Sequence, residues 1–382
     1  MGEGIIPHSL IGIGYIAIIM NDKKILLYIQ IVLLSVLVSC NNNKEQIPIA
    51  VEWECTESNQ KDTFDIQSLF KDRYILALEE TEKSRIGHIG KLVKVDTLLF
   101  VLDNRLAMRV FVFNATTGRF INSIGRTGNG PGEYVDVNDL SLNPVDSTVS
   151  LLCGRNRICV YGYDGTYRYQ KKLGFFADKM EYQDGKYYFS CYDYGRGNLI
   201  VTDKDMHELV SYFVNKPDSP VLIQTHPLQK LSDGSIVFFR YLDDNIYTVD
   251  KDNNLSVHCQ IDFGPDKMDY SLATKENINE LESAHRCHIK FYTENDKYAW
   301  IVFYDRDDVH EAILNKSTGK SLAFPCDHII DSAMGSYDTV IEYGFQGNML
   351  MIVNSEDIKE ELVRNKDCNR GNNPGVYFLI NK

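Results

Sequence analysis

The side chains best equipped for chemistry in this chain are scattered, and their types favour gripping a ligand over reacting with one. Arg126, Glu133 and Tyr134 bracket a Gly-rich stretch, GRTGNGPGEY, and Arg155, Arg157, Tyr194, Arg196, Tyr241, Asp305 and Arg306 follow at intervals. Arginines beside tyrosines offer forked N–H donors and hydroxyls, a set that suits a carboxylate, a sugar or a peptide segment. Each of these residues also reads as a solvated loop residue, with Arg126 and Glu133 pinning the Gly-rich loop onto its neighbour. His285, Cys287 and His288 stand close together in HRCH, but no matching third histidine or carboxylate can be picked out elsewhere, so His285 and His288 remain bare metal candidates and no cofactor is expected. Residues 305–308, DRDD, lack the spacing and glycine of a calcium loop. The stretch GRTGNGPG exposes backbone amides as a phosphate loop does, yet no Lys-Ser or Lys-Thr follows and the next element reads as a strand. No GxSxG, HExxH or Cys–His nucleophile pair stands out. No reaction is legible, and no catalytic residue is assigned.

These residues must be positioned by β structure. The 382-residue chain carries 23 tyrosines and 18 phenylalanines, a usage that favours strands over a helical bundle. Apolar strands stop at Asn114, Asp164, Asp203, Asp250, Asn315 and Asn381, and each stop but the last is followed by a polar turn such as NATTG or NKSTG. The intervals are 50, 39, 47, 65 and 66 residues, the spacing of propeller blades with insertions. Asn and Asp suit such turns because their side chains bond the backbone two residues on. Two earlier strands precede each stop, so every unit holds four short antiparallel strands, here a to d from the axis outward. One such sheet cannot hide both faces and must stack on its neighbours.

The expected fold is therefore all-β: a six-bladed β-propeller of four-stranded antiparallel blades. A β-sandwich pair or an open solenoid are the other arrangements that this strand spacing allows. The last strand reaches Asn381 where every other unit turns into strand d. The segment 73–80, RYILALEE, can supply that missing strand and close the ring, removing an exposed edge. In this arrangement b–c and d–a connections share one face. The long insertions 125–136, 264–286 and 355–374 all fall there, which makes that face the expected site of binding.

The N-terminus reads as an address. Lys23 and Lys24 precede an apolar run, 25–38, that ends in Leu37-Val38-Ser39-Cys40, the pattern of a bacterial lipoprotein signal in which the Cys40 thiol is acylated. Residues 1–40 are the expected signal, with Met20 a natural start that makes 1–19 a candidate misplaced translation start. Residues 41–62 are the expected tether and lead-in, and 63–382 the propeller. NNNKEQ rather than an acidic run follows Cys40, which favours the periplasmic side of the envelope over the surface. Eight further cysteines show no CxxC pair, and buried free thiols fit most of them. A formal charge of -13 leaves no basic excess for nucleic-acid phosphates.

IGRTGNGPGEY at 124–134, preceded by FVFNATTGRF, and LEETEKSRIGHIGKL at 78–92 resemble the Bacteroidetes six-bladed β-propeller lipoproteins, relatives of the NHL-repeat and TolB-like propellers. The resemblance implies fold and envelope location more than activity. The expected function is a lipid-anchored envelope propeller that binds a protein, peptide or carbohydrate at its loop face. A propeller hydrolase or lyase with a metal near the axis is the alternative.

Overall fold

Asn and Asp stops end the c strands as their turn chemistry requires. In the computed structural model, which describes residues 49–50, 64–231, 233–336, 343–345 and 348–381, Asn114 Oδ1 accepts from the N–H groups of Thr116 and Thr117. Asp203 serves Asp205 and His207, Asp250 serves Asp252 and Asn254, and Asn315 serves Ser317 and Thr318. Each side chain replaces the next ladder bond and turns the chain into strand d.

Six four-stranded antiparallel sheets result. Blade 1 is Lys91–Val95, Leu98–Asp103, Arg109–Asn114 and Phe120–Ile124, and blade 2 runs from Asp139–Asn143 to Tyr167–Lys172. Blade 3 runs from Lys179–Gln183 to Glu208–Val214, blade 4 from Leu228–Lys230 to Leu255–Asp262, and blade 5 from Arg286–Glu294 to Lys320–Pro325. Blade 6 takes Tyr343–Phe345, Asn348–Val353 and Gly375–Asn381 from the C-terminal end and Phe70–Ala77 from the N-terminal side. Val376 pairs with Leu76 and Phe378 with Tyr74, so the N-terminal strand Phe70–Ala77 closes the ring, beginning and ending three residues before the expected 73–80. All described residues lie within one compact unit, Ile47–Lys382.

Burial explains the strand patterns. Strands b and c are covered by neighbouring blades on both faces, so Leu98–Asp103, LLFVLD, is buried almost throughout, whereas the peripheral Tyr167–Lys172, YRYQKK, is mostly exposed. Phe100, Leu102, Val110 and Val112 of blade 1 interlock with Leu140, Leu142, Val149 and Leu151 of blade 2. Each such side chain contributes about 1.5–3 kcal/mol by leaving water. The innermost a strands contact one another around the axis.

Three features depart from or extend the expectation. Ile49–Ala50, inside the expected tether, pairs in parallel with Ile261–Asp262 on the outer edge of blade 4. Phe64–Asp65 joins Ile329–Asp331 and Gly335–Ser336 in a small extra sheet. The stretches YSLATKENINELES at 270–283 and DIKEELVRN at 357–365 each read, from sequence, as a short amphipathic or polar helix. Only Ile278–Ala284 is α-helical, and the second segment holds just the 3-10 turns Ser355–Asp357 and Glu360–Leu362. Val363 forms a bridge with Ile75 and Arg364 N–H donates to Ile75 O, so pairing with strand d of blade 6 pulls this segment into extended backbone. Cys40 and the signal segment lie outside the described residues. Among the described residues no helix is long and apolar enough to cross a membrane.

Candidate functional site

The described strand order confirms the sidedness of the loops. Connections of the a–b and c–d kind span two to five residues, while 125–138, 215–227, 263–285 and 354–374 all emerge on the opposite face.

The Gly-rich loop is built rigid. Gly128 N–H donates to Tyr134 O at 2.9 Å, Gly130 N–H to Glu133 Oε2 at 2.8 Å, and Arg126 closes the loop by an ion pair with Glu133. The Gly130 amide and then Arg126 hold the Glu133 carboxyl below its ordinary range. Tyr134 is 0% exposed and its hydroxyl donates to Met108 O at 3.1 Å, so it fills the seam between blades 1 and 2 and does not face solvent. Arg157 donates to Glu133 O at 3.4 Å from the neighbouring blade. This is the pinning arrangement that was the alternative to ligand binding for Arg126 and Glu133.

Other arginines are also engaged. Arg155 pairs with Asp178 at 2.9 Å and lies over Phe176, and Arg196 donates to Gly174 O at 3.2 Å. Asp305 pairs with Arg306 at 2.7 Å and Arg286 at 3.3 Å, and Asp266 sits within 3.7 Å of both arginines. That four-charge cluster ties the start of the 263–285 loop to blade 5.

His285 and His288 do not form a shared site. His285 Nδ1 contacts Leu281 O at 2.8 Å, at the end of helix Ile278–Ala284. His288 sits on a strand irregularity at φ +54°, 4% exposed, with Nε2 donating to Glu282 Oε1 at 2.5 Å. Tyr241 donates to the same oxygen, and its ring lies 4.3 Å from the imidazole. Tyr270 OH donates to Asp244 Oδ1 at 2.5 Å, and Lys267 pairs with the other Asp244 oxygen at 2.5 Å. Burial holds His288 below its usual pKa although Glu282 opposes it. Among the described residues no three His, Cys, Asp or Glu side chains gather in a metal-holding group.

Beside this relay lies a cavity of about 210 Å³ between blades 3 and 4, walled by Tyr192, Phe213, Tyr241 and Tyr270, with Pro220, Val221 and Leu222 at its lip. A larger space, about 1070 Å³, is an open furrow on the flank of blade 1 among the exposed Glu82, Lys83 and Arg85. We favour the smaller cavity as the site because of its rim. Three exposed apolar side chains line it, Val214, Val221 and Leu222, between 38% and 62% exposed, and the exposed Tyr194, Ile223 and Leu272 stand on the same connections as its lining residues. These segments are braced. Gln224 is tied down twice: its backbone N–H donates to Tyr192 OH at 3.1 Å and its Nε2 to Ile289 O at 2.8 Å. Lys275 reaches across to Tyr194 and Pro217 O.

Of the residues singled out by sequence, Tyr241 lines this cavity, and Tyr194 and Arg196 lie on the same connection as its Tyr192. Sequence reasoning missed Tyr192, Phe213, Tyr270, Val221 and Leu222. The usable signal was the run PVLI at 220–223, apolar inside a connection that should be polar.

No curated protein matches the chain significantly. Its structure is similar to that of a Bacteroides fragilis protein described as exported, with a TM-score of 0.70 at 16% identity over 87% of this chain and 99% of that one. A DUF4221 family member from Bacteroides vulgatus is similar at a TM-score of 0.51 and 9% identity, over 81% and 96%. At such identities the likeness concerns the fold alone. The family model described as Domain of unknown function (DUF4934) matches residues 46–379, and the chain belongs to that family.

Proposed function

We propose that this protein is a lipid-anchored propeller of the bacterial envelope that binds a partner protein through an apolar side chain or short extended segment docked between blades 3 and 4. The observation that carries the reading is the exposed Val214, Val221 and Leu222 lining the 210 Å³ cavity, with the exposed Tyr194, Ile223 and Leu272 on the same braced connections. Holding valine, leucine and isoleucine outward on anchored backbone costs solvation that a partner recovers. Aromatic walls with an exposed aliphatic lip of Val214, Val221 and Leu222 match the apolar, aromatic-rich centre of a protein interface. Anchoring through Cys40, on the periplasmic side, rests on the basic residues, apolar run and LVSC of the N-terminus. The kinship with NHL-repeat and TolB-like propellers belongs to the same reading, supported by the Gly-rich stretch at 124–134.

A hydrolase or lyase reading draws on Tyr241, Glu282 and His288, whose Nδ1 has no hydrogen-bond partner among the described residues. The imidazole is buried beneath Tyr241, which fits a part that braces the cavity wall better than one that meets a substrate.

The test is selection from a displayed random-peptide library against the full chain in detergent, beside a Leu222→Asp/Ile223→Asp variant with the same circular dichroism. Enriched peptides sharing an apolar residue and lost on the variant support the reading. Absence of any apolar consensus, or equal binding by the variant, contradicts it.

A further inference from the structure

A second site lies on the propeller axis, on different strands from the loop-face cavity. A space of about 80 Å³ opens among the innermost strands of blades 1 to 4, and the charged side chains that line it are Lys91, Lys94, Lys179 and Lys230 against Asp139 and Glu181. The two carboxylates are already committed. Lys91 Nζ lies 3.1 Å from Asp139 Oδ1 and 2.7 Å from Glu181 Oε1, Asp139 Oδ2 accepts from Met180 N–H at 2.7 Å, and Glu181 Oε2 accepts from Ser141 at 2.9 Å. Burial works against the Lys91 charge, but Asp139 and Glu181 outweigh it and hold the ammonium above its ordinary range. Lys94 donates to Asp96 O at 2.8 Å. Lys179 and Lys230 form no ion pair within 4 Å among the described residues.

This is an unusual local balance in a chain of formal charge -13. Gathering cations at the narrow axis, where the surrounding protein focuses their field, costs repulsion that a fold without a use for it relieves by substitution. The field reaches His226, which also lines the space: burial first, then Lys179 and Lys91, hold its imidazole neutral, down at about 3. We propose that the axial cavity binds one compact oxyanion, a carboxylate or phosphate group, recognised by the ammonium groups of Lys179 and Lys230. The volume admits a group of that size and little more. Lysine suits the task because its compact charge carries three donors that rotate to meet an oxygen.

The experiment follows thermal unfolding of the full chain in detergent while inorganic phosphate or acetate replaces chloride at constant ionic strength. A ligand that binds only the folded state raises the melting temperature with its concentration relative to its dissociation constant. Saturable stabilisation by one of the two anions is expected, and the tighter one names the class. Lys179→Gln and Lys230→Gln should each weaken that response about tenfold, while the exposed Lys320→Gln leaves it intact. Both axial variants should melt no lower than the parent in chloride, since each removes repulsion. Equilibrium dialysis of phosphate and acetate against the parent gives a second readout, expected at one anion per chain. No saturable response to either anion, or a response undiminished in both axial variants, overturns the proposal.

Discussion

Tyr74, near the start of the described chain, stacks on Phe378, near its end, with ring centroids 4.9 Å apart and planes 8° from parallel. Their backbones are partners in the same ladder. The pair joins the two ends of the ring, and Phe378 is about 1% exposed in a cluster that also holds Leu76, Leu350 and Val376.

Closure therefore depends on this seam. Phe378→Ala should cost about 3–5 kcal/mol, the range for emptying a buried aromatic site. Chemical denaturation should show the whole propeller unfolding earlier in one transition, because every blade needs both neighbours. A loss below about 1 kcal/mol would mean that the seam contributes little.

Gly125 and Tyr134 separate a structural loop from a binding one. Gly125 has φ +83°, and a Cβ there would meet the Tyr134 hydroxyl at 2.0 Å. Gly125→Ala should destabilise the protein by several kcal/mol, through left-handed strain and the collision together. Tyr134→Phe should cost only about 1–2 kcal/mol, the loss of one buried hydrogen bond to Met108 O, and should leave peptide binding unchanged. Weakened binding in a fully folded Tyr134→Phe protein would return this residue to the site.

Glu311 sets a pH dependence. Its carboxyl is fully buried, accepts from Trp300 Nε1 at 2.8 Å, and burial pushes it up to about 8 from an ordinary 4.5. The folded state thus keeps a proton that the unfolded chain has released, so this group's contribution is fully present below pH 4.5 and is lost as pH rises toward 8. The slope is at most about 1.4 kcal/mol per pH unit. Glu311→Gln, which keeps an acceptor for Trp300, should flatten the fall and leave the variant more stable than the parent at pH 8. Denaturation at pH 5, 6.5 and 8 checks this, and parallel curves for parent and variant would contradict it.

Cys40→Ala tests the proposed anchor. The substituted protein should appear in the soluble fraction after cell breakage and lose incorporation of labelled fatty acid. Retention in membranes without label would require another attachment.

How far the sequence speaks depends on how local the signal is. The Asn and Asp stops were legible because a side chain that bonds its own turn needs nothing from the rest of the fold. The closing strand was legible because the last unit stops short of its fourth strand. Tyr134 was misleading, since a tyrosine beside a glycine loop reads alike whether its hydroxyl meets a ligand or Met108 O. The expected helix over 357–365 failed because Val363 answers to Ile75, which lies 288 positions away along the chain. Lys91, Lys179 and Lys230 belong to three different blades, and only the ring brings them to one axis.

The proposed docking place for a partner is the loop face between blades 3 and 4. Hydrogen–deuterium exchange of the full chain, with and without a selected apolar peptide, tests it most directly. Protection confined to residues 191–196, 215–224 and 264–285 is the predicted result. Protection on the short c–d turns at 115–119, 204–207 and 316–319, with those three loops unchanged, would contradict it.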